Sequence, residues 1–194
     1  MPPKAAKTKV NKIGDKDHEM EDFASAPIKR ILKNGASSIL LDKTRIAADA
    51  VTAARLSLKT IFRHIGTKCS YLLELTKGVT IYNKHLKDAI RGFNCHGLSS
   101  GMIVGSEKDI SKQLPKGHLS LEGCSRRFRK YLPKDSRISA DAIVSLVIIA
   151  EIYLSNLGQE AARFAKVSKA VTVSAIHVQS VYDTRKATSG GLMI

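Results

Sequence analysis

The phrase RIAADAV at residues 45–51 returns as RISADAI at residues 137–143, with five of seven positions identical. The offset of 92 residues holds beyond the phrase. KGVTIYNKHL (77–86) aligns without a gap on KAVTVSAIHV (169–178), and Gly66 falls on Gly158. Residues 45–90 and 137–182 are therefore two copies of one unit in one register. Two divergent copies are too few for a solenoid, which needs three or more stacked units. A tandem pseudo-dimer, in which the copies bury their apolar faces on each other, is the arrangement that remains.

Between the matched ends each copy carries a long helical pattern. Ala47, Ala50, Val51, Ala54, Leu58, Ile61, Phe62, Ile65, Cys69 and Leu72 recur at steps of three and four. Ala142, Ile143, Leu146, Ala150, Tyr153, Leu154, Leu157, Ala161 and Phe164 form the same stripe in the second copy. Neither stretch contains proline, and Asp49 and Asp141 sit where a first-turn carboxylate meets the positive helix end. Each helix should run roughly 28 residues, or about 42 Å. A stripe that long needs a long partner, and the other copy supplies it.

Shorter helices flank each long one. After TKGVT a helix is expected from near Tyr82, and after SKAVTV its counterpart from Ser174, a good cap residue. Before the second long helix, RFRKYL (127–132) reads as a short helix ended by Pro133. Before the first, IKRILKN (28–34), stopped by Gly35, and SSILL (37–41) are both candidates, and both fit with Gly35 between them. The fold class is thus all-α: two units, each short–long–short. The expected organisation is a disordered tail at 1–24, a first unit at 25–93, a linker at 94–120 with a candidate helix around 98–112, a second unit at 121–183 and a short tail at 184–194.

Charge says what such a body meets. The net charge is +15, and the tail 1–24 adds nothing to it, because five lysines there face five acids. The remaining 27 basic and 12 acidic residues lie on the folded body, a surface suited to a polyanion. No segment reads as long or apolar enough to span a bilayer, so no membrane partner is expected. Three scattered cysteines, Cys69, Cys95 and Cys124, fit a reducing compartment better than a disulfide framework. Cys95 beside His96 raises the thought of a catalytic pair, but no second ligand pair at metal spacing, nucleotide loop or carboxylate dyad accompanies it. An enzyme is not expected, nor a cofactor or metal.

Short–long–short helices with RI before the long helix and VT after it resemble the histone fold, over about residues 28–182. IFRHI (61–65), VTIYNKHLKDAI (79–90) and GLSSGMIVGSEKDI (97–110) look like a histone 2B. RRFRKYL, RISADAIVSLVIIAEIYL and EAARFAK (160–166) look like a histone 2A, although TVSAIHV alone also resembles histone 4. The order, 2B-like then 2A-like, resembles the fused histone doublets of giant DNA viruses such as the marseilleviruses.

The resemblance implies that the units pair head to tail, with the Arg45 loop beside the Thr172 loop and the Arg137 loop beside the Thr80 loop. A loop arginine can then enter a DNA minor groove while loop amides hold phosphate, and the partner loop's threonine is expected to accept a hydrogen bond from it. Lys43, Lys77, Lys134 and Lys169 lie in the same loops as expected phosphate contacts, and Arg126, Arg127, Arg129 and Lys130 form the densest basic cluster. Lys84, Lys87 and Arg91 read as a solvated face, and His85 and His177 as packing or capping residues. Glu107, Glu151 and Asp183 match positions of the acidic patch that the family offers to other chromatin proteins. After Asp183 the chain reads TRKATSGG where the family continues with glutamates, so Arg185 and Lys186 are expected to reverse the local field, and the long 2A tail is nearly absent. The partners implied are double-stranded DNA and histone 3-like and histone 4-like proteins, in a nucleus or, for a virus, in the virus factory and virion. The rival readings are a histone-fold transcription-factor subunit pair and a basic RNA-binding protein.

Overall fold

The computed structural model describes residues 23–40, 44–90 and 119–188. The tail 1–22, Lys43, Arg91, the pair Cys95–His96, the candidate linker helix, Glu107 and residues 189–194 lie outside the described residues.

The first unit consists of α1 (Ser25–Leu40), β1 (Arg45–Ile46), α2 (Ala48–Thr76), β2 (Thr80–Ile81) and α3 (Asn83–Ile90). The second consists of α4 (Leu121–Arg129), β3 (Arg137–Ile138), α5 (Ala140–Val167), β4 (Thr172–Val173) and α6 (Ala175–Thr188). The long helices have the expected length, 29 and 28 residues. Ser139 caps α5 by accepting a hydrogen bond from the Ala142 amide at 3.3 Å, and Ser120 caps α4 at the Gly123 amide at 2.9 Å. Each satisfies a donor that the first helical turn leaves open.

The four strands are two residues each, and they pair across the units. β1 runs parallel to β4, and β2 parallel to β3. The helices interlock in the same sense. The most extensive contact is between α1 of the first unit and α5 of the second, and α6 packs on α2, α4 on α2, and α3 on α5. The long helices themselves touch only where they cross. The apolar stripes are therefore covered mainly by the other unit's short helices, and less by each other than the sequence implies. One core results, in which Phe62 takes edge-on contacts from Phe23 at 5.2 Å and from Phe128 at 5.9 Å.

Four expectations need correction. First, α1 is one unbroken helix through Gly35. That glycine does not stop the helix; it lets α5 approach, since a Cβ there would lie 2.0 Å from the Ser155 carbonyl oxygen. Gly158 does the same from the other side: a Cβ would lie 2.3 Å from the Leu32 carbonyl oxygen. Second, Phe23, assigned to the tail, is buried in the core. Third, Leu73 is buried where Leu72 was expected, because the stripe drifts at the end of a straight helix. Fourth, α5 does meet the length and composition of a bilayer-crossing helix, with a mean hydropathy of 1.7 over an 18-residue window, half of it buried inside the protein. Its position explains the composition: α1, α4, α6, α3 and α2 all contact it, and a helix surrounded on most sides is apolar on most sides.

Candidate nucleic-acid interface

Each strand pair sets an arginine beside a threonine of the other unit. Arg45 faces Thr172 and Ile46 faces Val173; Thr80 faces Arg137 and Ile81 faces Ile138. The hydrogen bonds match term by term. Arg45 N–H donates to the Val171 carbonyl at 3.1 Å and Ala47 N–H to Val173 at 2.9 Å. In the other pair Arg137 N–H donates to Val79 at 2.7 Å and Ser139 N–H to Ile81 at 2.9 Å. Strand alternation then sorts the side chains. Ile46, Ile81 and Val173 are buried and Ile138 half-buried, while both arginine side chains are exposed. Two short ladders thus hold two arginines out to solvent from rigid, cross-unit mounts. Among the described residues neither Thr172 nor Thr80 takes a hydrogen bond from its arginine, so the expected hydroxyl contact is not made.

The lysines of the second loops share a rarer feature. Lys77 has φ 50° and Lys169 φ 57°, and they are the only non-glycine residues with positive φ among those described. Both end a long helix in the same way. Lys77 N–H donates to Glu74 and Gly78 N–H to Leu73, at 3.3 and 3.0 Å; Lys169 N–H donates to Lys166 and Ala170 N–H to Ala165, at 3.0 and 2.8 Å. This is the left-handed helix ending that glycine ordinarily provides, built twice with an exposed lysine.

A histidine closes each following helix start. The Tyr82 amide donates to His85 Nδ1 at 3.1 Å, and the Ser174 amide to His177 Nδ1 at 3.1 Å. Each imidazole takes the part of the glutamate of a capping box. Ser174 is thus the residue before α6, as expected, and its own hydroxyl also lies 3.1 Å from His177 Nδ1. Burial lowers the His85 pKa, Lys84 lowers it further and Asp88 opposes them.

The basic cluster on α4 divides. Arg126 and Arg129 are exposed, as are Lys130 and Lys134. Arg127, expected at phosphate, points inward instead. It is buried, its guanidinium lies 4.4 Å from the centre of the Phe23 ring, and Nη1 donates to the Gly123 carbonyl at 2.8 Å. Sequence reading passed over Lys29, Arg30 and Lys33, which are exposed on α1. Their signal was present, a basic i, i+1, i+4 set on a helix whose apolar positions face the other way.

The acidic positions divide as well. Glu151 is half-buried and accepts a hydrogen bond from the Leu119 amide at 3.1 Å. Asp183 is exposed and accepts from Gln179 at 3.0 Å. Arg185 does not reverse the field around Asp183. It is buried, forms a two-pronged bond with Glu160 at 2.7 and 3.1 Å, and lies 5.7 Å from the Tyr153 ring centre. Cys69 and Cys124 are buried free thiols whose pKa burial pushes up to about 12, which leaves them unreactive.

Two interlocked short–long–short units, joined through paired loops, decide the architecture, and comparison with known proteins agrees. Residues 105–183 match the family profile of the core histone domain, which covers the 2A, 2B, 3 and 4 types. The crystal structure of the histone from Methanopyrus kandleri superposes with a TM-score of 0.60 at 17% sequence identity, covering 82% of this chain and 93% of that one. The fold is the histone fold. No curated protein matches the sequence significantly. The family profile begins within the linker and spans the second unit, so the first unit's histone fold rests on its geometry and on the 92-residue register.

Proposed function

We propose that this chain is a histone doublet, a 2B-like unit followed by a 2A-like unit, that packages double-stranded DNA into nucleosome-like particles. The observation that carries the reading is the pair of cross-unit ladders, each presenting one exposed arginine with a left-handed lysine in the adjoining loop. Arginines on rigid mounts suit insertion into a minor groove as it turns toward the protein, and the lysines suit phosphate. Such contacts read backbone and groove shape, so binding is sequence-independent. The exposed Tyr71, Leu75, Val79 and Tyr82, at the end of α2 and the start of α3, favour a further protein partner, for which histone 3-like and histone 4-like chains are the proposal. The setting proposed is a nucleus or, for a viral chain, the virus factory and virion.

The test is nuclease digestion after reconstitution with histone 3-like and histone 4-like partners on random-sequence DNA, which should leave a protected fragment of discrete length. Arg45→Ala and Arg137→Ala should each weaken duplex binding on all sequences alike, with a log–log salt slope near −0.9 per phosphate neutralised. Salt-independent binding, or loss confined to one sequence, refutes the reading. A footprint on one sequence would point to a transcription-factor subunit pair, and preference for RNA over duplex DNA to an RNA-binding protein.

A further inference from the structure

The N-terminal tail is neutral as a whole but divided. Residues 1–12 hold four lysines and no acid, whereas 15–22, DKDHEMED, hold five carboxylates against Lys16 and His18. The acidic part is the part joined to the folded body. The joint is fixed at Phe23, which is buried, packs edge-on against Phe62 and lies under the guanidinium of Arg127. An open recess of about 420 Å³ adjoins it, with Phe23 and Pro27 on one side and Glu122, Arg126 and Arg127 on the other. The chain that precedes Phe23 therefore starts at the junction of α1 and α4. The two helices that start there are basic: α1 carries exposed Lys29, Arg30 and Lys33, α4 carries exposed Arg126 and Arg129 and is followed by exposed Lys130, and Glu122 is the one acid in either helix. Eight residues reach at most about 28 Å from Phe23, while α1 is about 24 Å long, so the whole ridge is within range.

We propose that Asp15–Asp22 docks on this α1–α4 basic ridge and that duplex DNA displaces it. Its five carboxylates offer concentrated negative charge, and they lie at high local concentration because they are tethered. Weak or short polyanions then fail to displace the segment, whereas duplex long enough to engage both arginine loops succeeds. On displacement, the lysine-rich 1–12 is released toward the same DNA. This rests on the DNA reading above only for the identity of the competitor; the docking itself is intramolecular.

The full chain provides the test. A zero-length carbodiimide crosslink, mapped by mass spectrometry in the absence of DNA, is expected to join carboxylates of 15–22 to Lys29, Lys33 or Lys130, and a 150-base-pair duplex should abolish those joins. A second variant exchanges the order of KAAKTKVNK (4–12) and DKDHEMED (15–22), which keeps composition, net charge and Phe23. Several exposed charge pairs together are worth about a tenfold change in affinity, so at 50 mM salt this variant should bind a short duplex about tenfold more tightly than the natural chain. The advantage should shrink as salt rises. Crosslinks scattered over other lysines, joins that persist with DNA, or equal affinity of the two chains overturns the proposal. Joins on the ridge in a chain that binds no duplex uphold the docking and sink the DNA reading, so the two fail separately.

Discussion

Gly158→Ala sets two effects of opposite sign against each other. In an exposed helix the change is favourable by about 1 kcal/mol, since alanine loses less backbone entropy. Here the new Cβ would lie 2.3 Å from the Leu32 carbonyl oxygen and 3.0 Å from both its carbonyl carbon and its Cα. All three are backbone atoms of α1, so no side chain can rotate away. Relief requires α1 and α5 to part by about 1 Å, and a gap of that size forfeits a quarter to a half of each van der Waals contact it opens. Ile28, Ile31, Leu32 and Ala36 of α1 are all buried, and full burial of a large aliphatic side chain is worth about 1.5–3 kcal/mol. Overpacking of this kind ordinarily costs about 1–3 kcal/mol and more against backbone. The net expectation is a loss of about 2–4 kcal/mol, or roughly 5–15 °C in Tm for a chain of this size. Thermal and urea unfolding followed by far-ultraviolet circular dichroism reads it directly. Gly35→Ala should behave alike, with its Cβ 2.0 Å from Ser155 oxygen. Gly78→Ala is the control, because its nearest neighbours are side-chain atoms at 3.3 and 3.6 Å and the second unit already holds Ala170 at the matching position. A Gly158→Ala protein that melts higher than the natural one refutes the close α1–α5 approach.

Lys77→Gly and Lys169→Gly should each raise stability by about 1 kcal/mol, by relieving a left-handed backbone that costs a non-glycine residue about that much, while lowering duplex affinity; stability that falls would show the lysine side chains to be structural. His85 should make stability pH-dependent. Its folded pKa is lowered, so its contribution is present above the ordinary value of 6.5 and is lost as pH falls through the folded value. His85→Gln should keep the cap and flatten that dependence between pH 7 and 5, as measured by Tm against pH. Glu160→Gln removes the partner of buried Arg185 and should cost about 2 kcal/mol, less than a fully buried pair because the Glu160 side chain is 34% exposed; a loss below 0.5 kcal/mol would show the pair to be incidental.

What could be read from the chain is what repeats. The 92-residue offset carried Arg45 onto Arg137, Thr80 onto Thr172, Lys77 onto Lys169 and His85 onto His177, and each pair occupies equivalent geometry. Features present in one unit only were harder. Gly35 falls on Arg127 at that offset, so register gave no hint that α1 needs a glycine where α5 crosses it. The inward turn of Arg127 depends on Phe23, a residue more than 100 positions away that local composition placed in a polar tail. Arg185 reads as a surface charge until Glu160, 25 residues earlier, is set beneath it. Periodicity reports which face of a helix is apolar; it is silent on which neighbour arrives and how close.

The interlocking of the units fixes when the protein can fold during synthesis. Leu32 of α1 rests on Gly158 of α5, which is made 126 residues later. At about 5–20 residues per second, α1 waits roughly 6–25 s on the ribosome for the surface that buries it. Meanwhile β1 and β2 lack the strands they pair with, and α1 lacks its most extensive contact, the one with α5. A nascent first unit thus holds the α1 surface around Leu32 and Gly35 without the α5 backbone that closes on it throughout that interval, an open face of the kind that holding chaperones retain, until the second unit emerges on the same chain to cover it.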